Sequence, residues 1–363
     1  MPGCTTPRRL SGLVALLACL SQIGVGPVGR TAEPSKALDA GWQEAVISVR
    51  DAKPLLRFFE DVAGWRVIHS GVLPHETRAF YAGEPVSGDR HRLRPAREYL
   101  IADAERLPGF IRLIEFGDPR SIEIRAGSMP WDTGGMLSLM TRSNATNEVY
   151  SRAQALGWSA FSDPARLVLK DAGVVLTNVI LRGPDSVTVS IYERLSPRMD
   201  DAPDLRRLRR PFNSMQVVRD INASRRFYTE VLGFEVVNSG DFINEQREPN
   251  NFGMPGNIVA ANPIPFLIVG PRSSGPTQVE AVQLVGMEGR DLSERAVPPN
   301  YGLVALRFPV TSVALVAERL KQQAWPPAVA PTEIPLPPYG KVRILAVRSP
   351  DGAWLEFFET LRP

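Results

Sequence analysis

Residues 49–71, VRDAKPLLRFFEDVAGWRVIHSG, and residues 218–240, VRDINASRRFYTEVLGFEVVNSG, align without a gap and share ten of 23 positions. Val49/Val218, Asp51/Asp220, Phe58/Phe227, Gly64/Gly233 and Ser70/Ser239 are among the identities. A repeat of this clarity is an internal duplication: one structural unit serves twice, and a site in one copy has a counterpart in the other. The length of 363 residues also fits about two domains.

Short β-rich runs, Glu44–Val49 and Ser214–Val218, each lead to an aspartate, Asp51 or Asp220, suited to capping the helix that follows. In the second copy Phe227, Tyr228, Val231 and Leu232 form an apolar stripe, and Gly233 stops the helix. FEVVNSG is the next strand. Further strands are expected over 98–103 and 109–116 in the first copy, and over 258–269 and 278–285 in the second. The unit is therefore βαβββ. Weaker relatives of it follow at 136–158 and 303–325, with helical stripes Val149, Ala153, Leu156 and Val313, Val316, Leu320. Both halves close alike, PDSVTVSIYE at 184–193 and PDGAWLEFFE at 350–359. Four units thus start near residues 44, 136, 213 and 303, and the expected class is α+β.

The stretches NSMQVVRDINASRRFYTEVLGFEVV, YGLVALRF and SPDGAWLEFFE resemble glyoxalase I. More broadly they resemble the vicinal oxygen chelate superfamily of glyoxalases, bleomycin-resistance proteins, fosfomycin-resistance enzymes and extradiol dioxygenases. The resemblance implies that two modules pair into one curved sheet around a cup. The expected division is a leader over 1–32, an N-terminal domain over 40–195, a linker over 196–211 and a C-terminal domain over 212–361, one cup in each half.

Members of that superfamily with a metal hold it with four side chains on the first and last strands of paired modules. Carried over, those positions fall on Asn213, Gln283, Leu303 and Glu356 in the C-terminal half, and on Glu44, Glu115, Met136 and Ser190 in the N-terminal half. A catalytic divalent ion needs about three protein ligands with one open position. Leu303 cannot coordinate, Asn213 and Gln283 offer neutral oxygens, and no histidine follows residue 212. The expectation is therefore no cofactor in the C-terminal cup. The alternative is a divalent metal (Mg, Mn, Fe or Ni) on divergent ligands, with Glu44 and Glu115 the carboxylates to watch.

Period-2 alternation sets Trp354, Glu356 and Phe358 on one strand face, which the resemblance makes the cup interior. Glu356 reads either as a general base or acceptor for a ligand, or as an inherited residue paired with Arg307 or Arg343. Met215, Asn213, Gln283 and Leu303 complete the expected ligand-binding set with Trp354, Glu356 and Phe358. His69 reads as a ligand neighbour or a satisfied strand histidine. The segments 241–257 and 325–339 have the composition of loops covering the C-terminal cup, or of plain connectors. The leading functional expectation is a protein binding a small organic molecule in an apolar cup. A metal-dependent lyase or ring-cleaving dioxygenase and a non-catalytic envelope interaction protein are the alternatives, because fold alone does not supply function.

The rest of the chain bounds the setting. Arg8 and Arg9 precede the apolar run LSGLVALLACLSQIGVG, which is signal-peptide length. Cys4 and Cys19, the only cysteines, lie there, and Leu16-Leu17-Ala18-Cys19 resembles a lipobox, so a lipidated membrane tether competes with cleavage near Thr31-Ala32. Either route leads to a bacterial periplasm or cell envelope and leaves no disulfide in the folded part. Net charge is +3, from 42 basic and 39 acidic residues, which argues against a nucleic-acid partner. Arg206, Arg207, Arg209 and Arg210 read as a solvated linker face. A monomer is expected, since four modules in one chain already contain the pairing.

Overall fold

A computed structural model describes residues 40–82, 96–169, 173–198, 207–242, 250–272, 275 and 277–361. The expected leader and both cysteines lie outside these residues. The first module comprises β1 (Glu44–Ser48), α1 (Lys53–Arg57, widening over Phe58–Ala63), β2 (Arg66–Val72), α2 (His75–Ala82), β3 (Arg97–Ala102) and β4 (Phe110–Glu115). The second has β5 (Ser138–Arg142), α3 (Thr146–Ala155), β6 (Ser159–Ala160), β7 (Ala165–Leu169), β8 (Val174–Arg182) and β9 (Thr188–Ser196). The third has β10 (Asn213–Val217), α4 (Ile221–Arg226, widening over Phe227–Val231), β11 (Glu235–Phe242), α5 (Gly256–Ala261), β12 (Ile264–Gly270) and β13 (Gln278–Val282). The fourth has β14 (Gly302–Pro309), α6 (Val313–Gln322), β15 (Val329–Pro335), β16 (Lys341–Arg348) and β17 (Trp354–Thr360).

Local signals account for most boundaries. The Asp220 carboxylate accepts from Asn222 N at 2.8 Å, and Asp51 accepts from Lys53 N at 3.0 Å. Gly64 and Gly233 end their helices with φ of +80° and +78°, where a side chain would be strained. One expected strand is different: 258–269 opens as helix α5 and becomes strand only at Ile264. Its apolar run Ile258-Val259-Ala260-Ala261 carries no periodicity long enough to separate helix from strand.

The sheets pair the modules in a way the repeat did not suggest. One sheet runs β15-β16-β17-β14-β1-β4-β3-β2, joining the first module to the fourth. The other runs β11-β12-β13-β10-β5-β9-β8-β6, joining the third to the second. The division into one cup per half, 40–195 and 212–361, is therefore corrected: each cup takes one module from each half. Charge supplies a reason. Glu44 on β1 stands opposite Arg307 on β14, whereas the equivalent position on β5 is Met140.

The sequence halves are held together on the other side of the sheets. Phe58 after α1 stacks on Trp158 after α3 at 3.9 Å, and Phe227 after α4 meets Trp325 at 5.0 Å. The Pro-Asp turns link the same partners: Asp185 accepts from Arg50 N at 3.0 Å, and Asp351 from Arg219 N at 3.1 Å. The linker is not a solvated basic face, since Arg209 pairs with Glu105 at 3.0 Å and Arg210 contacts the same carboxylate. Arg206 lies outside the described residues.

Candidate functional site

A recurring contact fixes which residues face each cup. At the end of every module's last strand a side chain caps that module's own helix. Glu115 accepts from Ala52 N at 2.8 Å, Glu193 from Thr146 N at 2.9 Å, Gln283 from Ile221 N at 3.1 Å and Glu359 from Val313 N at 2.8 Å. Residues three apart on a strand point to opposite faces. The concave positions are therefore Arg112, Ser190, Glu280 and Glu356. Counting back equally from each capped amide, the first strands present Glu44, Ser138, Asn213 and Ala305.

Four expected positions are corrected by this register, Met136 among them, since it packs in the convex core and Ser138 takes the concave place. Glu115 and Gln283 belong to helix caps, and Glu115 never meets Glu44. Leu303 packs in the convex, helix-side core, because a bulge between Val46 and Ile47 in the β1–β14 pairing shifts the face. The remaining candidates are split between two cups: Asn213 and Met215 in one, Trp354, Glu356 and Phe358 in the other. Replacing Glu115 by alanine is expected to cost about 1 kcal/mol in urea unfolding. A loss several times larger would show a role beyond the cap.

The cup of the first and fourth modules is filled by charge. Arg112 Nε and Nη2 donate to Glu44 at 2.5 and 3.1 Å, and Nη1 donates to Glu98 at 2.6 Å. Arg307 Nη1 donates to Glu44 at 3.0 Å and Nε to Glu356 at 2.7 Å, while Nη2 bonds the Tyr81 hydroxyl. His69 Nε2 lies 3.7 Å from Glu98 at the outer end. Glu44, Glu98, Arg112, Arg307 and Glu356 all have no exposed surface. Burial works to raise both cup glutamates. The two guanidinium groups outweigh it at Glu44, whose carboxyl is held below its ordinary value, whereas burial prevails at Glu356 and pushes it up. Phe80 and Tyr81 of α2, with Leu336 and Tyr339, close this cup over Trp354 and Phe358. The segment 325–339 thus covers this cup in part as strand β15, and Trp325 turns to the helices instead.

The cup of the second and third modules is apolar. Met140, Met215, Val217, Ile180 and Val282 line it, and Phe252, Met254 and Val259 descend into it from the segment before and within α5. Asn250 holds that segment by accepting from Phe252 N and Met254 N, both at 3.1 Å. Gly253 at φ +63° cannot carry a side chain, since a Cβ would overlap the Phe161 carbonyl. The concave polar groups are Ser138, Ser190, Asn213 and Glu280. Glu280, partly accessible, receives only a 3.5 Å contact from Asn213 Nδ2 and makes no ion pair among the described residues. Burial pushes its carboxyl up to about 7, the Asn213 contact opposing. A cavity of about 430 Å³ opens at the end of the same sheet, walled by Trp131, Val217, Leu284 and Met287 and rimmed by Arg219, Glu288 and Asp291.

Neither donor set suits the divalent metal that the resemblance implies. In the first cup, Arg112 occupies a ligand position and Arg307 lies between Glu44 and Glu356, so cations stand where a cation would bind. In the second, one carboxylate, an amide and two hydroxyls form a weak oxygen set without a histidine. Among the described residues no group of three His, Cys, Asp or Glu side chains could hold an ion.

Comparison with known proteins matches part of this chain to a family and the whole of it to a fold. Residues 213–357 match the Glyoxalase/Bleomycin resistance protein/Dioxygenase superfamily. Glyoxalase I from Zea mays superposes with a TM-score of 0.55 at 13% identity, covering 88% of this chain and 92% of that one. A variant of the same enzyme reaches 0.56 at 13% identity, covering 88% and 92%. A Bacillus subtilis protein described as a candidate dioxygenase gives 0.51 at 12% identity, over 90% and 87%. At such identities the likeness is one of fold. No curated protein sequence matches the chain. The C-terminal stretch 213–357 thus matches the glyoxalase/bleomycin resistance/dioxygenase superfamily in sequence, and the four-module chain as a whole shares the fold of glyoxalase I.

Sequence reasoning named Arg307 as one of two alternative partners of Glu356, and the structure selects it; Arg112 and Glu280 were missed as cup residues. All three were visible as a charge inside an apolar strand, in FIRLIEF, LVALRFPV and QVEAVQLV.

Proposed function

We propose that the protein binds a small organic molecule in the cup of its second and third modules, without a resident metal. The observation that carries this reading is the contrast between the cups. One is packed with ion pairs and its own side chains, whereas the other is lined by methionine and aromatic surface and leads into a 430 Å³ cavity. Cavities of roughly 300–1,000 Å³ with mostly apolar walls and few polar groups are what small ligands occupy. Methionine suits such a wall because its unbranched thioether adapts to the ligand's shape. The polar groups supplied here, Ser138, Ser190, Asn213 and Glu280, are sufficient to orient a ligand.

The test is a melting-temperature screen of divalent ions and small apolar molecules side by side, on wild type and on Met215→Trp, which fills the cup. We expect no shift with Mn²⁺, Ni²⁺ or Fe²⁺, and positive shifts with some apolar molecules that vanish in the variant. A ligand at a hundred times its Kd would stabilise the fold by about 2.7 kcal/mol, which the screen resolves. A comparable shift with an ion, or ligand shifts that survive Met215→Trp, would overturn the reading.

A further inference from the structure

Glu280 stands apart from the buried carboxylates of the other cup. Glu44 and Glu98 are answered by Arg112, and Glu44 and Glu356 by Arg307. Glu280 sits on the equivalent concave position of β13, and among the described residues Asn213 is its one hydrogen-bond partner, at 3.5 Å. In register it lies between Met215 on β10 and Ile268 on β12. Tyr192 of β9 is the titratable group whose field reaches it, and that hydroxyl adds no positive charge. β10 presents Asn213 and Met215 and β12 presents Ile268, none of them ionisable.

An isolated carboxylate in such a cup is costly unless something supplies a cation. Among the described residues none forms an ion pair with Glu280. The walls are also selective. Met thioethers and aromatic rings interact well with an organic cation's positive end and with an apolar body behind it. An anionic ligand would meet the Glu280 charge with no compensating base, and a neutral one would leave that charge unanswered.

Resting on the binding reading above, we propose that Glu280 anchors an organic ammonium group, so that the cup takes amines with an apolar aromatic or aliphatic body. The carboxyl, held near neutrality in the free protein, ionises when the ammonium arrives. One proton then leaves to solvent for each amine bound below the midpoint, and no covalent bond changes.

The experiment titrates three probes of one skeleton, phenylbutylamine, phenylbutanol and phenylbutyrate, into the whole protein by calorimetry across a pH series. We expect the amine to bind wild type roughly ten- to a hundredfold more tightly than the alcohol near neutrality, as for a charged hydrogen-bonded pair. Its affinity should weaken about tenfold per pH unit below the Glu280 midpoint, with proton release seen as a buffer-dependent heat. Glu280→Gln, which keeps the shape, should erase the amine's advantage over the alcohol and its pH dependence. Alcohol binding as tightly as amine, or amine binding untouched in Glu280→Gln, sinks the ammonium assignment alone. Binding of none of the three overturns both this assignment and the small-molecule reading.

Discussion

Arg307→Met will lower the stability of the protein by about 3–5 kcal/mol, the range found when one member of a buried ion pair is removed. Arg307 bridges β14 to both Glu44 and Glu356 and bonds the Tyr81 hydroxyl, and none of these groups has exposed surface. Methionine fills much of the space, so the loss is not chiefly one of packing. It comes from leaving Glu356, which has no exposed surface, with Tyr81 as its remaining partner among the described residues, at 3.3 Å. Adding Glu356→Gln to Arg307→Met should restore more than half of the loss, since the stranded charge is then gone. Urea unfolding of the wild type and both variants measures this. A single-variant loss below about 1 kcal/mol would mean that the chain of charges is solvated and only weakly structural.

The same chain of charges decides the pairing of the modules, and it shows where sequence reading stops. The βαβββ unit, its four repetitions and the helix stops at Gly64 and Gly233 were all legible, because each depends on local pattern. Which module meets which was not. All four first strands carry compatible patterns, and the choice depends on Glu44 finding Arg307 across a strand boundary that lies 263 positions away in sequence. The site positions failed in a different way. Each last strand carries two polar residues three apart: Arg112 and Glu115, Ser190 and Glu193, Glu280 and Gln283, Glu356 and Glu359. One faces the cup and the other caps a helix. Reading picked the cup member at Ser190 and Glu356 and the cap member at Glu115 and Gln283. A slip of three residues reverses the face, and composition cannot detect it, since a glutamate serves both tasks. Alignment of the capped amides, Ala52, Thr146, Ile221 and Val313, removes the ambiguity, but those hydrogen bonds are three-dimensional facts.

Glu280→Gln will make the protein more stable above neutral pH and leave it nearly unchanged in acid. Burial raises the Glu280 carboxyl from an ordinary 4.5 to about 7. Between those limits the folded chain holds a proton that the unfolded chain has lost, so wild-type stability falls as pH rises and the deficit is complete above the folded midpoint. A shift of this size corresponds to about 2–3 kcal/mol after allowance for the partial exposure of the group. Glutamine never ionises and avoids the penalty. Urea midpoints near pH 4.5 and about pH 8 should therefore coincide in acid and diverge in base, with the variant ahead. An equal or lower midpoint for the variant in base would show that Glu280 is solvated or paired, and the ammonium assignment would lose its physical basis. A gain would identify Glu280 as a residue that weakens its own fold. Such residues mark sites where local rules are broken for function. An arriving ammonium would cancel the same penalty, so the stability that glutamine adds by substitution is the stability that a ligand adds by binding.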